Sequence, residues 1–142
     1  MANPMGHASR TGQLVLGVVA IVAAAGGCRE DRVLSGEEAR ALFAGKTVTG
    51  YHEKKGYRFK SYYDPAGTFR SYQGGSSTPK HGKWWINESG DECVEWQGES
   101  PLCRKIVTDD KGHYWKIKIK RNGKRILIVS FMRFFEGNPE KL

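Results

Sequence analysis

From Lys46 onward, apolar and polar residues alternate in short runs, and each run stops at a cluster of Gly, Pro, Asn or Asp. A chain punctuated this often has little room for long helices and folds as a meander of short strands. The spacing predicts strands near 46–52, 57–63, 68–73, 82–87, 92–97, 103–108, 113–120 and 125–134. The breaks are Lys54-Lys55-Gly56, Asp64-Pro65-Ala66-Gly67, Gly74 to Pro79, Asn87 to Gly90, Asp109 to Gly112 and Asn122-Gly123. Asn122-Gly123 is the strongest hairpin signal and predicts a type I′ turn. About eight strands of this length predict an all-β fold, a small antiparallel up-and-down β-barrel or curled two-layer sheet.

One short helix precedes the strands. Ser35-Gly36-Glu37-Glu38 has capping-box spacing, in which the Ser35 hydroxyl takes an amide of the first turn and Glu38 reaches back. Ala39, Leu42 and Phe43 follow as an apolar stripe, and Gly45 can end the helix. The expected span is Gly36 to Ala44.

Period-two alternation assigns faces to the strands. Tyr57, Phe59 and Tyr63 oppose Arg58, Lys60 and Tyr62; Val94 and Trp96 oppose Cys93 and Glu95; Trp115, Ile117 and Ile119 oppose Lys116, Lys118 and Lys120. The apolar set of each is expected inside. The last run, Ile126 to Phe135, is apolar on both faces. Its outer side needs a cover, which could be the opening helix, a partner chain or lipid, and the helix is the simplest of the three.

The N-terminus carries an address. Arg10 precedes an apolar stretch from Leu14 to Ala25, and Ala25-Gly26-Gly27 leads into Cys28. A basic start, an apolar segment and small residues before a cleavage point form a secretory signal. The stretch is shorter than the ~20 residues a bilayer span requires. Small residues followed by cysteine resemble the lipobox of bacterial lipoproteins, with Ala25 where leucine is preferred. An ordinary cleaved signal and an uncleaved anchor are the alternatives. The resemblance implies cleavage after Gly27, residues 1–27 as signal peptide, Cys28 acylated and 28–34 as a short tether to a single domain over 35–142. Arg29 follows Cys28 where aspartate often marks inner-membrane retention, so the periplasmic face of the outer membrane is the favoured location.

The chain has three cysteines, and an odd number in an exported protein asks for a reason. Acylation of Cys28 would supply one. Cys93 and Cys103 flank a turn and are then expected to form a structural disulfide, which an oxidising compartment favours.

The residues offer no catalytic signature. No nucleophile elbow, phosphate-binding glycine loop or CxxC pair occurs. His52, His81 and His113 fall at strand ends, and the acid pairs Asp91-Glu92 and Asp109-Asp110 flank turns. Neither a catalytic residue, a metal ligand nor a cofactor is assigned, and the chain is read as a non-enzyme.

The charge is +8 for the whole chain, and the segment before Cys28 holds only Arg10 of it. Arg58, Lys60 and Arg70 are expected to form one outward basic cluster, and Lys116, Lys118 and Lys120 with Arg121, Lys124 and Arg125 another. Held near a membrane through Cys28, such clusters would meet anionic headgroups or lipopolysaccharide. Basic and aromatic residues also interleave as in nucleic-acid binders, but an exported address argues against that partner.

The stretch Gly82-Lys83-Trp84 to Gly90-Asp91-Glu92-Cys93-Val94-Glu95-Trp96, followed by Cys103, resembles small exported proteobacterial proteins grouped in families of unknown function. The opening Leu34 to Glu38 and the ending Gly137-Asn138-Pro139 share that resemblance. It implies a secreted, disulfide-bonded β-domain and carries over no catalytic residues. More distantly the layout is similar to lipid-anchored lysozyme inhibitors and to lipocalin-like barrels. A cationic domain would be repelled by basic lysozymes. The leading expectation is an envelope lipoprotein that binds an anionic component or partner protein through a basic, aromatic surface. The second is a lipocalin-like carrier of a small apolar ligand, with Trp84, Trp96 and Trp115 lining the barrel.

Overall fold

A computed structural model describes residues 31–142; Cys28 and the signal segment lie outside the described residues. The chain forms β1 (Arg32–Val33), α1 (Gly36–Phe43), β2 (Lys46–His52), β3 (Tyr57–Tyr63), β4 (Thr68–Gln73), β5 (Lys80–Ile86), β6 (Glu92–Trp96), β7 (Leu102–Thr108), β8 (Tyr114–Ile119) and β9 (Arg125–Glu136). Strands β2 to β9 pair antiparallel with their neighbours, and β9 returns to pair with β2, closing an eight-stranded barrel. Closure removes the exposed edges that an open sheet of this size would present.

Strand β1 was not expected. Arg32 and Val33 pair with Thr108 and Val107 of β7, so the wall begins inside the segment read as tether. The turn after β8 also differs from the expected type I′. Gly123 has φ 81° while Asn122 stays at negative φ, and the Gly123 amide donates to the Lys120 carbonyl. This is a type I-like turn closed by a glycine bulge, the usual three-residue hairpin solution.

Helix α1 starts as its sequence indicates. Ser35 Oγ accepts from the Glu38 amide at 3.2 Å. The Glu38 carboxylate does not reach back, because it pairs instead with Arg32 at 2.6 Å. The helix contacts β2 and β5, which are not neighbours in the barrel. A helix that touches both lies across the end of the barrel. Phe43, fully buried, enters there and stacks on Tyr63 at 4.8 Å, Phe131 at 5.3 Å and Phe134 at 5.8 Å. Leu34, Ala39, Val48, Phe69, Trp84, Val94 and Ile106 complete the core.

The helix therefore packs on the inner face of β9 and does not cover its outer side. Met132 and Phe135 point outward and stay exposed. A β-bulge between Thr49 and Gly50 of β2 and Arg133 and Phe131 of β9 puts Met132 and Arg133 on the same outer side. The C-terminal residues fold back over this wall: Thr47 Oγ1 donates to the Gly137 carbonyl at 2.7 Å, and Lys60 pairs with Glu140 at 2.6 Å.

The face assigned to β8 is reversed. Lys116 stands opposite Ile106 and Val129, both inward, so Tyr114, Lys116 and Lys118 face in and Trp115, Ile117 and Ile119 face out. The physical reason is charge. Glu92 is buried inside and needs a cation, and Lys116 supplies it. The other faces stand as expected: Tyr57, Phe59 and Tyr63 on β3, and Val94 and Trp96 on β6, are inward.

Candidate functional site at the open end

The end opposite α1 is unplugged. Here the β2–β3, β4–β5, β6–β7 and β8–β9 turns surround a cup of about 250 Å³ that opens between them. Its walls are Phe59, Phe69, Val94, Trp96, Ile128 and Val129. Gly50 keeps one wall open for an aromatic ring: a Cβ there would lie 2.6 Å from the Phe59 ring. Phe69 and Trp96 stack at 5.0 Å on the facing side.

The floor of the cup is polar. Ser61 Oγ donates to Ser71 Oγ at 2.8 Å, and both residues are buried. The buried Tyr63 hydroxyl donates to Glu92 Oε1 at 3.1 Å. Lys116 Nζ sits 2.7 Å from Glu92 Oε2 and forms an ion pair with it. Burial, then the Glu92 charge and hydrogen bond, push the Tyr63 hydroxyl well above the usual tyrosine range. The hydroxyl therefore remains a donor.

The lip is cationic. Lys54 and Lys55 come from the β2–β3 turn, Arg104 from β7 and Lys118 from β8. Lys80 hangs over the Trp96 ring at 5.4 Å. His52, also in the lining, has its pKa lowered by burial and then by Lys55 and Lys116. Its Nδ1 accepts from the Lys55 amide at 3.2 Å, which favours the neutral ring. Burial raises Tyr57 at the same lip.

Residues singled out in the sequence separate into several regions. Cys93 and Cys103 face each other across β6 and β7 and form a disulfide, which clips the wall carrying Val94 and Arg104. A loop closed over this separation of 10 residues contributes about 3 kcal/mol in the chain-entropy view. Arg58, Lys60 and Arg70 lie on the outer wall of β3 and β4, where Lys60 is tied to Glu140. Lys120 and Lys124 bracket the β8–β9 turn, joined by the Lys120 amide to the Lys124 carbonyl. Lys116 and Lys118 belong to the cup and leave the outward row. Of the tryptophans, Trp84 and Trp96 face in and Trp115 faces out.

His81 is exposed on β5, and His113 pairs with Asp109 at 2.7 Å near the plugged end, so neither joins His52. Among the described residues no three His, Cys, Asp or Glu side chains gather as a metal-ligand set.

Sequence reasoning missed Glu92, Arg104, Lys54 and Lys55. A signal for Glu92 was present: it lies two and four residues before Val94 and Trp96, hence on their inward face. Arg104 follows from Glu92, its neighbour across β6 and β7. The chain matches no protein-family model, no curated protein and no solved structure.

Proposed function

We propose that this protein binds and carries a small, largely apolar ligand in the cup of its barrel, in the manner of lipocalin-like carriers. The observation that carries this reading is the cup itself: a recess of about 250 Å³ with aromatic walls, open at one end of a barrel whose other end is plugged by Phe43. Ligand sites are typically concave, mostly apolar and supplied with a few fixed polar groups. Here Ser61, Ser71 and the Tyr63 hydroxyl are those groups. The cup, at about 250 Å³, is slightly smaller than the roughly 300–1,000 Å³ usual for such sites, which suits one short chain or ring.

The proposed setting is the cell envelope, reached through the N-terminal signal and held through Cys28. The Cys93–Cys103 bond suits such an oxidising compartment. The expected outward basic surface carries less of the argument, because two of its lysines line the cup and a third is paired with Glu140.

The test is titration with 1-decanol, read by native mass spectrometry and by tryptophan fluorescence, since Trp96 lines the cup. A one-to-one complex is expected, and Gln73→Trp, which narrows the mouth, weakens it. If decanol does not bind, or binds Gln73→Trp as tightly as wild type, the carrier reading fails.

A further inference from the structure

The cup is lined by cations of one sign without matching acids. Lys54, Lys55, Arg104 and Lys118 converge on the lip, and none of the four has an acidic partner among the described residues. The carboxylate of Glu92 lies below them, is buried, and is already neutralised by Lys116.

The backbone enforces this grouping. Lys105 stands opposite Ile117 across β7 and β8, which sets Arg104 beside Lys118 on the inward face. Two cations side by side in a recess with low-dielectric walls repel each other more strongly than on an open surface. His52 in the same lining has its pKa lowered by burial first and then by nearby lysines, Lys55 and Lys54 of the lip among them.

We infer that the ligand is an amphipathic anion. Its apolar body lies against Phe59, Phe69, Trp96 and Val129, and its single carboxylate or phosphate head sits at the lip among Lys54, Lys55, Arg104 and Lys118. Arg104 offers the planar fork that pairs bidentately with either head, while the lysines act as mobile point charges. An anion there relieves the repulsion among the four. An uncharged ligand leaves the repulsion in place, and a cationic ligand adds to it. This assignment rests on the cup being a ligand site, and it adds the sign and position of the ligand's charge.

The experiment compares ligands of one chain length on the purified, disulfide-intact protein: decanoate, decyl phosphate, 1-decanol, decyltrimethylammonium and inorganic phosphate alone. Decanoate and decyl phosphate are expected to bind on the order of tenfold more tightly than decanol. Decyltrimethylammonium is expected to bind weakest, and the advantage of the anions should shrink as salt is raised. The ratio of decyl phosphate to decanoate tells which head the lip prefers. In a Lys54→Gln/Lys118→Gln variant the affinity ratio of each anion to decanol should fall toward one. These are exposed lip positions, so the fold should persist.

Equal binding of decanol and decanoate would overturn the inference while leaving the carrier reading intact. Failure of every probe would remove both. Inorganic phosphate competing as well as decyl phosphate would overturn the amphipathic part. An anion preference that survives in the double variant would place the head elsewhere and overturn the assignment of the lip.

Discussion

The two ends of this barrel are made of opposite materials. At one end α1 lies across the opening and Phe43 fills it with stacked aromatic rings. At the other end the walls remain aromatic, but the lip is Lys54, Lys55, Arg104 and Lys118, and the space between them is open. The floor that separates the ends is a polar layer: Ser61, Ser71, Tyr63, Glu92 and Lys116. Close packing at the plugged end gives stability and leaves no room for a ligand. Cations at the open end contribute little to stability, and in the proposed carrier they would select what enters. One barrel thus separates, along its axis, a packed end that holds the fold from an open end proposed to meet a ligand.

The largest expected effect tests the plugged end. Phe43→Ala should cost about 3–5 kcal/mol of unfolding free energy, because it empties a fully buried aromatic site whose neighbours cannot all collapse inward. Urea unfolding measures it as a lower midpoint at similar slope. A loss below about 1 kcal/mol would mean that α1 merely rests on the barrel and that the contrast between the ends is overstated.

The floor gives the next effect. Lys116→Met removes the counter-charge of a carboxylate that is almost wholly shielded from water. It should cost roughly 3 kcal/mol. Glu92→Gln in the same background removes the orphaned charge and keeps an acceptor for the Tyr63 hydroxyl. The double variant should therefore recover to within about 1–2 kcal/mol of wild type. Had Lys116 pointed outward as an ordinary surface lysine, Lys116→Met would change stability by no more than about 0.5 kcal/mol. A chemical-denaturation cycle over the two single variants and the double one separates these cases.

Lys116 also marks where the sequence stops being readable. The eight barrel strands and the helix with its Ser35 cap follow from local chemistry: turn residues, period-two runs and capping spacing; the Cys93–Cys103 pair follows from the cysteine count and the turn between them. Face assignment used a further rule, that the more apolar face goes inside. It succeeds at Phe59 and Tyr63, whose opposite face carries Arg58 and Lys60, with the acid that pairs Lys60 lying outside the barrel. It fails on β8, because both alternatives are chemically competent: Trp115 and Ile117 make a good inner face, and so does a lysine when an acid awaits it. What settles the choice is Glu92, which comes from β6 and meets Lys116 only after the barrel closes. The cationic lip was hidden for the same reason. Lys54 and Lys55 read as turn residues and Arg104 as one strand position among many; only the pairing of β7 with β8 and the mouth of the barrel bring them together.

The smallest effect sharpens the comparison through pH. His52 sits at the open end with Tyr57 at 5.3 Å and with Lys54, Lys55 and Lys116 as the charges that act on it. Burial and these lysines hold its folded pKa below the ordinary value of about 6.5. The unfolded chain therefore binds more protons near and below that value, and the contribution of His52 to stability, intact above pH ~6.5, declines as pH falls through the window beneath it. The thermal midpoint of wild type should drop more steeply than that of His52→Gln between about pH 7.5 and 5.5, while His81 and His113 contribute equally to both and cancel in the difference. Bound decanoate, which stays ionised over this range, places a negative charge beside the ring and raises its pKa. The excess drop should then shrink, and decanoate should bind more tightly as the pH falls. Identical slopes for the two proteins would show that His52 lies outside the positive field of the mouth, and the plugged and open ends would then differ in packing alone.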